Sequence, residues 1–239
     1  MQPKLHNYCI NKTFELLYND SKSDVIKTIF NPDVSYLKYE ERIKLMQHGS
    51  YIIDRLAIKK LRIHWFGGHY LYPHSHAGYV SGFSDAGTKC VQLFNIALKD
   101  WEHGKIKKSL VAIGGAVHLV QDLCIPFHTT NLALKKHIIF ERWMSANYLD
   151  VDLKLESGIY RFKTLKGHYR DNRPFGWVDY NAHNSSMFLP ELLYAKTKIE
   201  YFNSMNRIIP EAIRTSAGFL ELFSRAAGKS LFAKKVAKA

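Results

Sequence analysis

The apolar run SLVAIGGAV from Ser109 passes directly into HLVQDLCIPFH from His118. The first part has the composition of a helix buried on every side. A helix running through it places His118 and Asp122 one turn apart on a single face. Polar groups so placed point into an interior that disfavours them unless something compensates. A hydrogen-bonded core pair would do so, and so would a metal ion. Pro126 has no N–H to donate and disfavours helix at Ile125, so the helix is expected to end there. His128 then follows just past the end, free to face back toward Asp122.

Nine residues after His128, the stretch HIIFE puts His137 and Glu141 at positions i and i+4 of the next helix. Imidazole nitrogen and carboxylate oxygen are the usual zinc donors outside thiolate sites, and a helix offers two of them to one ion at that spacing. A single pair of this kind arises by chance in many helices. Two pairs with a histidine between them form a joint pattern suited to neighbouring ions.

The rest of the chain supplies a helical frame. Apolar residues recur every three or four positions in NKTFELLYND from Asn11, YEERIKLMQHGSYIIDRLAIKKL from Tyr39 and DAGTKCVQLFNIALKDWEHGKI from Asp85. LALKKHIIFERWMSANYLD from Leu132 and IPEAIRTSAGFLELFSRAAG from Ile209 repeat the pattern. Strand-like alternation is confined to GIYRFKTLKG from Gly158, and loops gather around residues 64–84 and 157–177. With 239 residues, 46% of them apolar, the chain can bury a sizeable core. The expectation is an all-α protein: one mostly helical domain over residues 1–228, then a frayed basic tail at 229–239. No internal repeat or low-complexity linker divides it.

The net charge of +13 favours anionic partners such as lipid surfaces, nucleic acid or phosphate-bearing substrates, and decides nothing about fold. Cys9, Cys90 and Cys124 are few and odd in number, so no disulfide framework is implied. Cys124 reads as a small packing residue. GFSDA at Gly82 falls one residue short of a nucleophile elbow. No run approaches the roughly 18 apolar residues of a membrane span. The N-terminus MQPKLHNYCINK lacks a signal-peptide pattern, so the chain as written is expected in the cytosol, or outside it if a leader was removed.

HLVQDLCIPFHTTN followed by HIIFE resembles the zinc-dependent phospholipase C family, whose pattern is His-x3-Asp-x5-His-x2-Asn and then His-x3-Glu. HNYCINKTFELL from His6, GSYIID ending at Asp54, the Ser75–His76 pair and RTSAGFLELF from Arg214 extend the likeness over about residues 6–226. The resemblance implies two to three zinc ions. Asp54, His76, His118 and Asp122 would hold one, and His128, His137 and Glu141 a second. His6 would hold a third and share Asp122 as a bridging carboxylate. In the family the amine and carbonyl of an N-terminal tryptophan complete that third ion. This chain has Met1 five positions before His6, a spacing that the related single-strand-specific zinc nucleases use. Gln2 is bulky enough for Met1 to be retained, and the Met1 α-amine is the expected ligand where the chain starts there.

The chain also departs from the family. AGYVSG follows His76 where an aromatic, Asp and Pro are usual, and the long stretch before it holds His64, His69 and His74. His74 is the alternative loop ligand, while His64 and His69 read as surface or locally bonded histidines. Arg55 stands where an aromatic of the choline cradle is expected.

The implied activity is hydrolysis of phosphodiesters, with Asp54 as general base as well as ligand. The substrate would be a phospholipid at a membrane surface, cleaved to diacylglycerol and a phosphorylated headgroup. No lipid-binding β-sandwich fits after the helical domain, so membrane engagement would rest on its own basic surface. A single-strand nuclease or nucleotidase acting on nucleic acid with the same ligands is the alternative, and a metal-binding homologue without catalysis a third. No protein partner is implied. Trp143, Phe127 and Tyr79 could line a substrate wall, with core packing the plainer role for each.

Overall fold

The computed structural model describes residues 1–22, 25, 29, 37–60, 68–78, 85–131, 134–161 and 173–236, with only the backbone described at 54–60, 134 and 229–236. In chain order the helices are α1 (Pro3–Asn19), α2 (Tyr39–Lys60), α3 (Ala86–Glu102), α4 (Ile106–Asp122), α5 (Leu134–Asn147), α6 (Pro174–Ser186), α7 (Leu189–Tyr194) and α8 (Lys198–Val236). Short 3-10 turns lie at Pro126–Thr129 and Tyr148–Asp150. The protein is all-α, with no strand among the described residues.

The apolar run from Ser109 lies in α4, the buried centre of the fold. Every residue of α4 from Ala112 to Asp122 is buried. α2 and α3 pack along its two sides, and α8 lies against α3 and α4. α1 bridges α2 and α8. The crossing of α2 and α4 is set by two glycines: a Cβ on Gly49 would lie 1.9 Å from the Val111 carbonyl oxygen, and one on Gly114 would lie 2.0 Å from that of Met46. Only glycine lets the two backbones approach so closely. That approach brings Ser50 of α2 to His118 of α4.

Local signals place several boundaries. Asp85 caps α3 by accepting from the Thr88 amide (2.8 Å) and hydroxyl (2.7 Å). α3 stops just before Gly104, at φ +71°. α4 ends at Asp122, three residues before the expected Ile125, and Ile125 itself is extended (φ −90°, ψ 121°), as a residue before proline should be.

Elsewhere the tertiary structure overrides the sequence reading. α8 begins at Lys198, well before Ile209, and carries Pro210 inside it, a residue that reads as a start signal. Its backbone continues helical to Val236, through most of the segment set apart as a tail. At Gly158–Arg161, where alternation suggested a strand, the backbone is irregular, and the Ile159 amide donates to the Arg214 carbonyl of α8 (3.0 Å).

α6 has only a weak helical pattern, PFGWVDYNAHNSS, and was not anticipated. It forms because it completes the end of α4. Asn181 Nδ2 donates to the Val120 carbonyl and Ser185 Oγ to the Leu123 carbonyl, both at 2.7 Å. These are among the carbonyls that a helix C-terminus leaves without intrahelical partners. Among the described residues no helix is long and apolar enough to cross a membrane.

Candidate metal centre

The C-terminal end of α4 delivers His118, Gln121 and Asp122 into one buried polar pocket. His6 enters from α1, His69 from the 68–78 loop, His128 from the turn at Pro126–Thr129, and His137 and Glu141 from α5. The pocket has two halves. In the first, His69 Nδ1 and His118 Nε2 lie 2.7 and 3.0 Å from Asp122 Oδ2, and His6 Nε2 lies 3.3 Å from Oδ1. In the second, His128 Nε2 and His137 Nε2 lie 3.1 and 2.8 Å from Glu141 Oε1. The Met1 amine joins the halves, donating to Asp122 Oδ1 (2.6 Å) and Glu141 Oε1 (3.0 Å).

The outer nitrogens of these rings fix their tautomers. His128 Nδ1–H donates to the His69 carbonyl (2.9 Å), leaving a lone pair on the Nε2 that faces Glu141. His6 Nδ1–H donates to Gln121 Oε1 (2.7 Å), and the Gln121 amide is oriented by its own Nε2–H donating to Ser216 Oγ (3.2 Å). The His6 lone pair therefore faces Asp122 Oδ1. Ser50 Oγ stands 3.2 Å from His118 Nδ1, and the Tyr70 hydroxyl 3.1 Å from His137 Nδ1. Such outer partners are what metal-binding histidines require for orientation.

Lone pairs aimed at carboxylate oxygens across 3.1 and 3.3 Å repel, and only a cation between them reverses the sign. The buried Nε2 atoms of His6 and His69 also have no hydrogen-bond partner. His118 Nε2 and His69 Nδ1 lie 3.2 Å apart against the same carboxylate oxygen. The donor set fits a divalent ion such as zinc in each half: His6, His118 and Asp122 offer atoms within 4.8 Å of one another, and so do His128, His137 and Glu141.

Protonation states agree with that fit. Burial lowers the pKa of His6 and His137 and takes that of His69 down to about 4, so these imidazoles are neutral near pH 7. Burial acts to raise the pKa of Asp122, but His118, the Met1 ammonium and His128 outweigh it and hold the carboxyl well below its usual range. Glu141 is held low against its own burial by the Met1 ammonium and His137. Neutral imidazole and ionised carboxylate are the forms that bind metal.

The structure thus brings together His6, His118, Asp122, His128, His137 and Glu141. It does not bring His76 among them. The turn after Tyr72, closed by the His76 amide on the Tyr72 carbonyl (2.8 Å) and the Tyr72 amide on the Ala77 carbonyl (2.9 Å), holds His76 at φ +52°. Its ring is thereby sent to Asp179 of α6, 2.9 Å away, rather than to α4. His74, the alternative, is exposed beside His183 of α6. His69 takes the place beside Asp122, although it read as a surface or locally bonded residue.

One signal for His69 was available: Tyr70, Leu71 and Pro73 after it are apolar and buried, whereas the residues around His76 are polar and exposed. The orienting residues Ser50, Tyr70 and Gln121 carried no sequence signal. Asp54 lies on α2 one turn beyond Ser50, and its side chain is outside the described residues, as are His64, Tyr79 and Gly82–Ser84.

Phe127 is buried and stacks on His137, and Trp143 packs on Phe140, Tyr201 and Phe202. All three cysteines are buried and free of disulfides, and burial pushes the Cys9 thiol up to about 12 and that of Cys124 well above the usual range.

No protein-family profile and no curated protein sequence matches the chain. Solved structures do. The alpha toxin from Clostridium absonum matches with TM-score 0.71 and 15% identity, over 92% of this chain and 63% of the toxin. The Clostridium perfringens alpha-toxin from avian strain SWCP matches with TM-score 0.73 and 15% identity, over 94% of this chain and 64% of the toxin. The chain has the all-α fold of these toxins and spans under two thirds of their length.

Proposed function

We propose that this chain is a zinc-dependent phosphodiester hydrolase of the phospholipase C type, cleaving phospholipids to diacylglycerol and a phosphorylated headgroup at a membrane surface. The observation that carries the reading is the confrontation of imidazole lone pairs with Asp122 and Glu141, which a cation resolves. The zinc phospholipase C resemblance of HLVQDLCIPFHTTN and HIIFE supports it, as does the shared fold.

His69, His118 and Asp122 would hold one ion, with Asp54 of α2 completing the set. His128, His137 and Glu141 would hold a second. His6 and, where the chain starts at Met1, its α-amine would hold a third. When bound, zinc supplies charge against phosphoryl oxygens and makes a water acidic enough to ionise near neutral pH. The protein's own part is position. Asp122 offers Oδ2 to one half and Oδ1 to the other, fixing the spacing between them. Gln121, Ser50 and Tyr70 hold the rings, so little reorganisation accompanies reaction. Asp54 takes the proton of the attacking water. The +13 charge draws an anionic interface to the domain.

The test is turnover of zinc-replete protein and its Asp122→Asn variant on phosphatidylcholine, phosphatidylethanolamine, phosphatidylglycerol and single-stranded DNA. Lipid cleavage that disappears in the variant is the expected result. Cleavage of DNA alone would move the chain to the nuclease reading, and zinc binding without turnover to that of a metal-binding protein.

A further inference from the structure

The loop that carries His69 into the main cluster ends in a second set of donors. His76 Nε2 lies 2.9 Å from Asp179 Oδ1, and His183 Nε2 lies 3.8 Å from the same oxygen. One donor atom from each of the three residues lies within 4.8 Å of the other two. Asp179 and His183 stand at i and i+4 on α6, the same spacing as His118–Asp122 and His137–Glu141. The ring of His74 is centred 5.7 Å from that of His183, which puts a further imidazole at the mouth. Phe175, one turn before Asp179, sets its ring edge-on to His76 at 5.3 Å.

The burial of this set is graded in a way that suits an ion. The Asp179 side chain is 2% exposed at the base, His183 is 12% exposed above it, and His76 is 41% exposed at the rim. The negative charge is thus fixed inside while the approach from solvent stays open. His76 holds a left-handed backbone conformation that non-glycine residues adopt infrequently, and that conformation is what directs its ring onto Asp179. Two imidazoles and one carboxylate suit zinc, and also cobalt, nickel or copper.

We propose that His76, Asp179 and His183 form a separate divalent transition-metal site, with His74 positioned to supply a fourth donor. Its ion ties the 68–78 loop to α6 and so steadies His69, seven residues before His76, in the main cluster. The site is independent of the proposed hydrolase activity and stands whether or not the main cluster is catalytic.

The experiment compares the full chain with its His76→Ala and His183→Gln variants, each stripped of metal and equilibrated against low-micromolar free Zn2+. Zinc per chain is counted by elemental analysis, and cleavage within residues 68–78 by limited proteolysis. His76 is at the surface, so its replacement leaves the core packing alone, and circular dichroism checks the fold of both variants. The expected result is about one zinc fewer per chain in either variant than in the parent. Zinc should slow cleavage of the loop in the parent more than in the variants. Equal zinc content and equal loop protection in all three proteins would overturn the proposal and leave a plain His76–Asp179 ion pair. Asp122→Asn separates the two sites: it disturbs the main cluster, and adding His76→Ala to it should still remove one further ion.

Discussion

His69 Nδ1 lies 2.7 Å from Asp122 Oδ2, and the loop that makes this contact is bonded to the turn at Pro126–Thr129 in both directions. The His69 carbonyl accepts from His128 Nδ1–H (2.9 Å), and the Leu71 amide donates to the His128 carbonyl (3.1 Å). His69 is therefore a donor to one half of the pocket and the orienting acceptor for a ring of the other. His69→Ala should remove the imidazole while leaving the carbonyl in place. We expect it to lower zinc content at the His118–Asp122 half and leave the His128–His137–Glu141 half loaded. Elemental analysis with a chelator titration reads this; unchanged zinc affinity in both halves would show that His69 is only a packing residue.

The Met1 nitrogen lies between Asp122 and Glu141, with its side chain 4% exposed in the core. Extending the chain before Met1 turns that amine into an amide and pushes chain into a buried pocket. Zinc per chain should fall relative to protein beginning at Met1, with the His6 half most affected. Identical stoichiometry and affinity with and without the extension would remove the amine from the ligand set.

Acid should unfold the metal-free protein early. The His69 pKa is about 4 when folded against 6.5 for a free imidazole, so between those values the unfolded chain binds a proton that the folded chain refuses. Stability is full above the unfolded value and is lost as pH falls toward the folded one, at roughly 1.4 kcal/mol per pH unit for one proton. Asp122 and Glu141, both held low, continue the loss in the same direction below their ordinary values of 3.8 and 4.5. The Tm of chelator-treated protein should fall steadily from pH 7 to pH 4. A flat Tm across that range would contradict the buried neutral state of His69.

The α2–α4 crossing makes two glycine substitutions differ in sign. Gly114→Ala drives a Cβ to within 2.0 Å of the Met46 carbonyl oxygen, and overpacking of this kind destabilises by about 1–3 kcal/mol. Gly228→Ala, in α8 with nothing within 4 Å of the new Cβ, should stabilise by about 0.5–1 kcal/mol through helix propensity. Urea denaturation of the two variants checks both. If Gly114→Ala were as stable as the parent, the close crossing that places Ser50 on His118 would be wrong.

What the sequence determined by itself is what depends on spacing along one helix. The burial of α4, the i,i+4 pairs His118–Asp122 and His137–Glu141, and the break at Pro126 all follow from local geometry, because a helix fixes which side chains share a face whatever surrounds it. The tertiary structure decided everything that reaches the pocket from elsewhere. His69 rather than His76 meets Asp122 because the path of a loop is set by the partners at its two ends, here His128 and Asp179. α6 is helical because α4 leaves carbonyls that Asn181 and Ser185 can satisfy. Gln121, Ser50 and Tyr70 orient the histidines through contacts between residues distant in sequence, or on a face no periodicity marks. Those choices are made by packing, which compares whole arrangements of the chain, and no single stretch of residues contains them.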